Sequence, residues 1–268
     1  MSRTTATPTP APAPPLAPPP QEKEIIKEGL SEYFIFSIEG TETIPNGWSK
    51  RMRSLEAPAV PLKIQYRYRP EEYGDQLVRM YLLTNNKESK LGSSPLPDGI
   101  VRVFRDNGRG GLSFLTAQSV KYIPIGEKIE LNLGQDPSVL FELVKLRVFR
   151  DNIWLQVNGV NVYRHVGQAG LKIEADSSVA GWNDHEIDVQ RVRNFTGAPI
   201  EVEVRRAFDG HVVFRSQLGP VLHDYRTVQF TAPVGAGAKS DLLFEVIRHQ
   251  GYNAKQNNVT LEGAAVAP

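Results

Sequence analysis

From residue 32 onward, apolar and polar positions alternate with period two, the spacing of a strand that buries one face. The cleanest run is Leu62-Lys63-Ile64-Gln65-Tyr66-Arg67-Tyr68-Arg69, which alternates over all eight positions. Further β-prone runs occupy 33–38, 77–83, 100–105, 128–133, 153–157, 187–192, 200–205, 212–214, 227–230 and 242–247. Turn chemistry separates them, as at Pro45-Asn46-Gly47, Pro97-Asp98-Gly99, Asn107-Gly108, Asn158-Gly159, Thr196-Gly197 and Asp209-Gly210. Residues 21–31 are the best helix candidate, where Glu24, Lys27 and Glu28 stand three and four apart. Many short alternating strands and no long helical period predict an all-β fold, an antiparallel β-sandwich or two.

The first twenty residues break the pattern. Alternating Ala-Pro and Thr-Pro there disfavours helix and removes ladder donors, which predicts a disordered, proline-rich leader acting as an extended spacer. It would serve as a plain linker, a stalk, or a ligand for a groove that binds polyproline helices. The expected organisation is a leader with a short charged segment over 1–31 and a β-rich domain over 32–180. A smaller sandwich-like domain over 181–254 and a flexible tail over 255–268 would follow.

One internal echo stands out. Val101-Arg102-Val103-Phe104-Arg105-Asp106-Asn107 recurs as Leu146-Arg147-Val148-Phe149-Arg150-Asp151-Asn152. It reads either as a duplicated hairpin or as convergence on a generic strand-and-turn string.

Composition narrows the chemistry. With 31 basic and 30 acidic residues the net charge is +1, so no global field draws the chain to nucleic acid or an anionic membrane. There are no cysteines, which excludes disulfides, thiolate nucleophiles and cysteine metal sites. No apolar run is long enough for a membrane span. The N-terminus lacks the apolar stretch of a signal peptide, which predicts a cytoplasmic chain or a native start further upstream.

Two blocks carry a family resemblance. The stretch from Leu83 through Asn85, Asn86, Leu91, Pro95 and Leu96-Pro97-Asp98-Gly99 to Val101-Arg102-Val103-Phe104 is the first. The second is Tyr122-Ile123-Pro124-Ile125-Gly126-Glu127 running on to Leu131-Asn132-Leu133-Gly134. In order and spacing they resemble the bacterial family called domain of unknown function 4139, the C-terminal half of mucoidy-inhibitor-like proteins. Residues 33–38, the string from Pro61 to Tyr68, and Arg193-Asn194-Phe195 with Pro199-Ile200-Glu201-Val202 fit the same pattern, so the likeness spans roughly 32–250. The chain departs from it in its leader, where relatives carry another β domain and a coiled coil, and in 143–181, which looks like extra sequence. The resemblance implies a β fold in a bacterial protein and leaves function open, while the proline-rich spacer favours an envelope-associated setting. The resemblance implies no catalytic residues.

Candidate chemistry is sparse. His165, His185, His211, His223 and His249 share no metal-ligand spacing. Asn183-Asp184-His185-Glu186 with Asp188 is the densest polar cluster, but it lacks the order of a calcium loop and reads as an acidic turn opening a strand. There is no Gly-x-Ser-x-Gly, and Asn107-Gly108-Arg109-Gly110-Gly111 lacks the lysine and helix of a phosphate cradle. Binding is better represented. Trp48 lies beside Lys50, Arg51 and Arg53, a basic patch with an aromatic neighbour. Tyr68, Tyr73, Trp154, Tyr163, Trp182, Tyr225 and Tyr252 sit near turns, where sandwich loops engage protein or sugar or else cap the core.

The chain therefore reads as a non-catalytic interaction or scaffolding module with no cofactor and no metal. Its partner would be a protein or a second copy, with glycan possible and nucleic acid disfavoured. The alternatives are a structural subunit of a larger assembly and a hydrolase acting on envelope polymers. Localisation stays open, the periplasm or cell surface being favoured over the cytoplasm.

Overall fold

The computed structural model describes residues 25–30, 33–38, 40–41, 43–51, 53, 55–92, 94–157, 161–171, 176–264 and 266. The expected disordered leader lies outside the described residues, as does the Asn158-Gly159 turn. The described chain divides into two units, Met1–Pro58 and Ala59–Pro268.

The first unit holds strands β1 (Ile25–Leu30) and β2 (Tyr33–Ile38), paired antiparallel from Ile25 opposite Ile38 to Leu30 opposite Tyr33. This corrects the helix expected over 21–31. Two β-branched residues, Ile25 and Ile26, and Gly29 weaken a helix too short to stand alone, while β2 supplies a full ladder of partners. The pair also straddles the expected boundary at 31/32.

In the second unit the alternating runs become β3 (Lys63–Tyr68), β4 (Leu77–Thr84), β5 (Gly99–Asp106), β6 (Leu112–Val120) and β7 (Lys128–Asn132). They continue as β8 (Val139–Gln156), β9 (Tyr163–His165), β10 (Ser178–Asn194), β11 (Ile200–Ala207) and β12 (His211–Arg215). The last are β13 (Val221–Leu222), β14 (Thr227–Val234), β15 (Lys239–Gly251) and β16 (Val259–Glu262). The one described helix is the single turn α1 (Pro70–Tyr73), opened by proline where a missing N–H costs nothing.

Two six-stranded sheets result. Sheet I runs β16-β12-β15-β10-β8-β9 and sheet II runs β13-β14-β11-β3-β4-β7. Most pairings are antiparallel, as expected, but β3 lies parallel to β11 and β12 parallel to β16. One core unites the sheets: Val192, Phe214 and Phe244 from sheet I meet Tyr66, Val202 and Phe230 from sheet II. The rings of Phe214 and Phe244 stack at 5.2 Å. Each fully buried side chain of this size contributes about 1.5–3 kcal/mol.

This core overturns the expected division at 180/181. The boundary falls inside β10, and sheet II joins β3, β4 and β7 to β11 and β14. Hydrophobic strands from both stretches need each other to cover their faces, so 59 onward folds as one sandwich.

The internal echo is not a duplicated hairpin. Asp106-Asn107 opens the β5–β6 tip, where Asp106 accepts the Gly108 N–H at 2.7 Å and Asn107 accepts that of Arg109 at 2.8 Å. Asp151-Asn152 instead lies within β8. Gly108 and Gly110 adopt φ of 70° and 74°, which the tip needs and side chains resist.

The polar face of β3 differs most from expectation. Tyr66 and Tyr68 enter the core as the alternation requires, yet Gln65, Arg67 and Arg69 on the opposite face are buried as well. Arg67 grips Glu130 with two hydrogen bonds, of 2.6 and 2.8 Å, and takes the Gln65 carbonyl at 2.8 Å. Arg69 donates to Glu203 at 2.6 and 2.9 Å and reaches Glu72 at 3.0 Å. Arg67 thereby holds the Glu130 carboxyl below its ordinary range.

Candidate functional site

The sequence-predicted patch stays on the surface. Trp48 is 74% exposed and its N–H closes a turn onto the Pro45 carbonyl at 3.1 Å. Lys50, Arg51 and Arg53 follow it, all exposed, and Arg53 is paired with Glu56 at 2.6 Å. All four are exposed and belong to the first unit.

A denser constellation forms where β8, β10 and β15 run together, because strands of 18, 17 and 13 residues are the longest in the molecule. Their register sets Asp151 against Asn183, Phe149 against His185 and Asn183 against His249. β12 then places His211 beside His249. Three histidines separated by 26 and 38 positions in sequence thus share one sheet face.

Hydrogen bonding orients their rings. His185 is buried and lies on the Phe149 ring at 4.4 Å. Its Nδ1 donates to Glu245 at 2.7 Å, and its Nε2 stands 3.0 Å from Asp151, off the line of a hydrogen bond. Asn183 donates its amide to Asp151 at 3.0 Å, so its carbonyl oxygen faces His249 and accepts from Nδ1 at 2.7 Å. His211 accepts the Lys255 N–H through Nδ1 at 3.3 Å, which puts its own proton on Nε2. The His211 and His249 rings are 4.2 Å apart. Burial first, then the neighbouring His211 and His185, push His249 below the ordinary histidine range.

Apart from His185 Nε2, these groups spend their polar capacity on one another. Glu245 holds His185 with one oxygen and Arg215 with the other, at 2.9 Å. Among the described residues no group of three or more histidines and carboxylates is arranged to hold a metal ion.

Beside this network the aromatics expected near turns partly converge. Tyr163 stacks on Tyr252 at 4.4 Å, Trp154 tilts against Tyr252 at 5.2 Å, and the Lys255 ammonium sits 4.0 Å over the Tyr252 ring. Tyr68 is instead a core residue, while Tyr225 is exposed.

The cluster read as an acidic turn is mid-strand in β10, which sorts its members by parity. Asn183 and His185 join the histidine face. Asp184, Glu186 and Asp188 take the other, facing Arg150 at 2.7 Å, Lys145 and Arg248 at 2.8 and 2.9 Å, and Arg206 at 3.8 Å. Lys145, Arg150 and Arg248 tie Asp184 and Glu186 to the neighbouring strands, while Arg206 approaches Asp188 from the other sheet.

The outer edge of β8 is the last element. On the side away from β10, β9 covers only Trp154 to Gln156, so among the described residues no strand pairs with that edge along 139–152. Val148 on this stretch is 60% exposed, and Leu140 and Leu146 are exposed too. No family model matches the sequence, and no curated protein or solved structure matches it.

Proposed function

We propose that the chain is a non-catalytic interaction or scaffolding module, set in a bacterial envelope-associated protein, and that it binds by strand addition. The observation that supports this reading is the open edge of β8. A long strand with unpaired backbone groups and exposed apolar side chains is a template for another strand. Main-chain hydrogen bonds would supply affinity, and Leu140, Leu146 and Val148 would read alternate side chains of the added strand. Use of the edge between copies makes the chain a subunit of a larger assembly, the second reading that the same observation favours. The exposed Trp48, Lys50, Arg51 and Arg53 are a further contact surface in this proposal.

Light scattering over a concentration series, with hydrogen exchange along β8, tests it. The wild type is expected to gain mass with concentration or with a cognate partner, and to gain protection within 139–152. The double substitution Leu146→Lys and Val148→Lys, on exposed positions, is expected to abolish both and leave the fold intact. Association undiminished in that variant would place the interface elsewhere.

A further inference from the structure

A cleft of about 360 Å³ opens between sheet II, the β5–β6 hairpin and the turn joining β10 to β11. Two guanidinium groups line it, Arg79 from β4 and Arg105 from β5, with a single carboxylate, Asp136. That carboxylate is already engaged. Its Oδ2 accepts the Tyr66 hydroxyl at 2.7 Å and an Arg79 N–H at 3.3 Å, and its Oδ1 accepts the Ser138 N–H at 2.9 Å. Burial opposes ionisation of Asp136, but the Tyr66 and Ser138 bonds and the Arg79 charge outweigh it and hold the carboxyl below its ordinary range. The site therefore holds two cations against one committed anion.

Two polar groups are left over. The Arg79 Nε is buried and has no hydrogen-bond partner. The exposed Arg105 side chain makes no ion pair or hydrogen bond among the described residues. Buried N–H groups are almost always paired, and paired guanidiniums present the fork that fits a carboxylate. The rest of the lining includes the apolar Ile64, Pro199 and Ile200. A ligand with one negative charge and a small apolar body matches both halves.

We infer that this cleft binds a carboxylate, held between Arg79 and Arg105 with its apolar substituent against Pro199 and Ile200. The carboxylate belongs either to a free small acid or to the chain end of a partner peptide.

The test follows the arginine Nε–H resonances of the ¹⁵N-labelled full chain by NMR at constant ionic strength. Sodium isobutyrate is expected to shift the Arg79 signal saturably, while isobutyramide, which has the same shape without charge, leaves it in place. Arg105→Gln, an exposed position, is expected to weaken isobutyrate binding at least tenfold and leave the other resonances of the fold unchanged. Gly-Ala-Ala-Val with a free C-terminus, compared with its amide, separates the two sources: tighter binding than isobutyrate assigns the carboxylate to a peptide end, and equal binding to a small acid. No saturable shift, an equal response to isobutyramide, or equal affinity in Arg105→Gln overturns the proposal. Saturation by inorganic phosphate without saturation by isobutyrate overturns the assignment of the anion.

Discussion

Two buried polar groupings in this sandwich handle charge in opposite ways. On the outer side of sheet II, Arg67 and Arg69 meet Glu130, Glu203 and Glu72 in short, forked hydrogen bonds. Between the sheets, Asp188 and Gln190 are more inaccessible still and Arg206 is half-buried, and they are poorly matched. Asp188 Oδ1, both polar atoms of Gln190 and Arg206 Nη1 are buried without a hydrogen-bond partner. The Asp188–Arg206 contact is 3.8 Å. Burial, followed by the charge of Glu186, raises the Asp188 carboxyl above its ordinary range. The first grouping is a completed structural joint, and the second is a place where the sandwich carries cost. The contrast shows that burial of charge alone marks no function, because what distinguishes the two is how many donors and acceptors are matched.

The largest expected effect tests the completed joint. Removing one partner of a buried pair strands the other charge, so Arg69→Ala or Glu203→Ala should each cost about 3–5 kcal/mol in urea denaturation. The double variant Arg69→Met, Glu203→Leu should recover most of that loss, since apolar groups of similar volume need no partner. A double variant no more stable than the singles would show that the pair does more than neutralise itself. The comparison with the inter-sheet group would then fail.

A smaller effect of opposite sign is expected between the sheets. Gln190 is wholly buried and its side chain makes no hydrogen bond. An unmatched buried polar atom costs about 1–3 kcal/mol. Gln190→Met keeps the length of the side chain and removes both atoms, so it should raise stability by about 1–2 kcal/mol and lift the thermal midpoint by a few degrees. A fall of similar size would mean that Gln190 is matched by a buried water, which would erase the contrast.

Much of this architecture was legible because period-two alternation reports local burial. Eleven runs read as strands all fall on strands, overrunning them by one residue only at Leu62, Arg69, Leu133 and Val157. What escaped depends on distant partners. The alternation of 62–69 shows that Gln65, Arg67 and Arg69 share a face, but Glu130 and Glu203 stand 63 and 134 positions from the arginines they pair with. The same holds for His185, His211 and His249, whose separations carry no ligand spacing and which only the β10–β15–β12 register brings together. The division at 180/181 failed for the matching reason, since local turns do not reveal that β3 will lie beside β11. Trp48, Lys50, Arg51 and Arg53 were readable as neighbours along the chain. The unpaired arginines of the cleft were not, because Arg79 and Arg105 become a pair only when β5 folds back.

The smallest expected effect concerns the histidine face, which stands between the two extremes: most of its hydrogen bonds are matched, with His185 Nε2 the exception, and like charges would face each other there. His249 faces His211 and His185, with Asp151 and Glu262 opposing them, and its folded state holds a proton less readily than the unfolded chain. As pH falls past the ordinary histidine value of about 6.5, the unfolded state binds the proton first. Stability is therefore full above that value and is lost as pH falls through the depressed folded value. The paired carboxylates Glu130, Asp136, Asp184 and Glu186, held below their ordinary range, add their own losses only at lower pH. Urea denaturation at pH 7.5, 6.5 and 5.5 separates these contributions when the wild type is set against His249→Asn. The asparagine amide can still donate to Asn183 and takes up no proton. The variant should match the wild type in shape above pH 7 and lose less stability between pH 6.5 and 5.5. Parallel pH profiles would show that the three histidines share a face without sharing charge, and would place this network with the completed joint on sheet II.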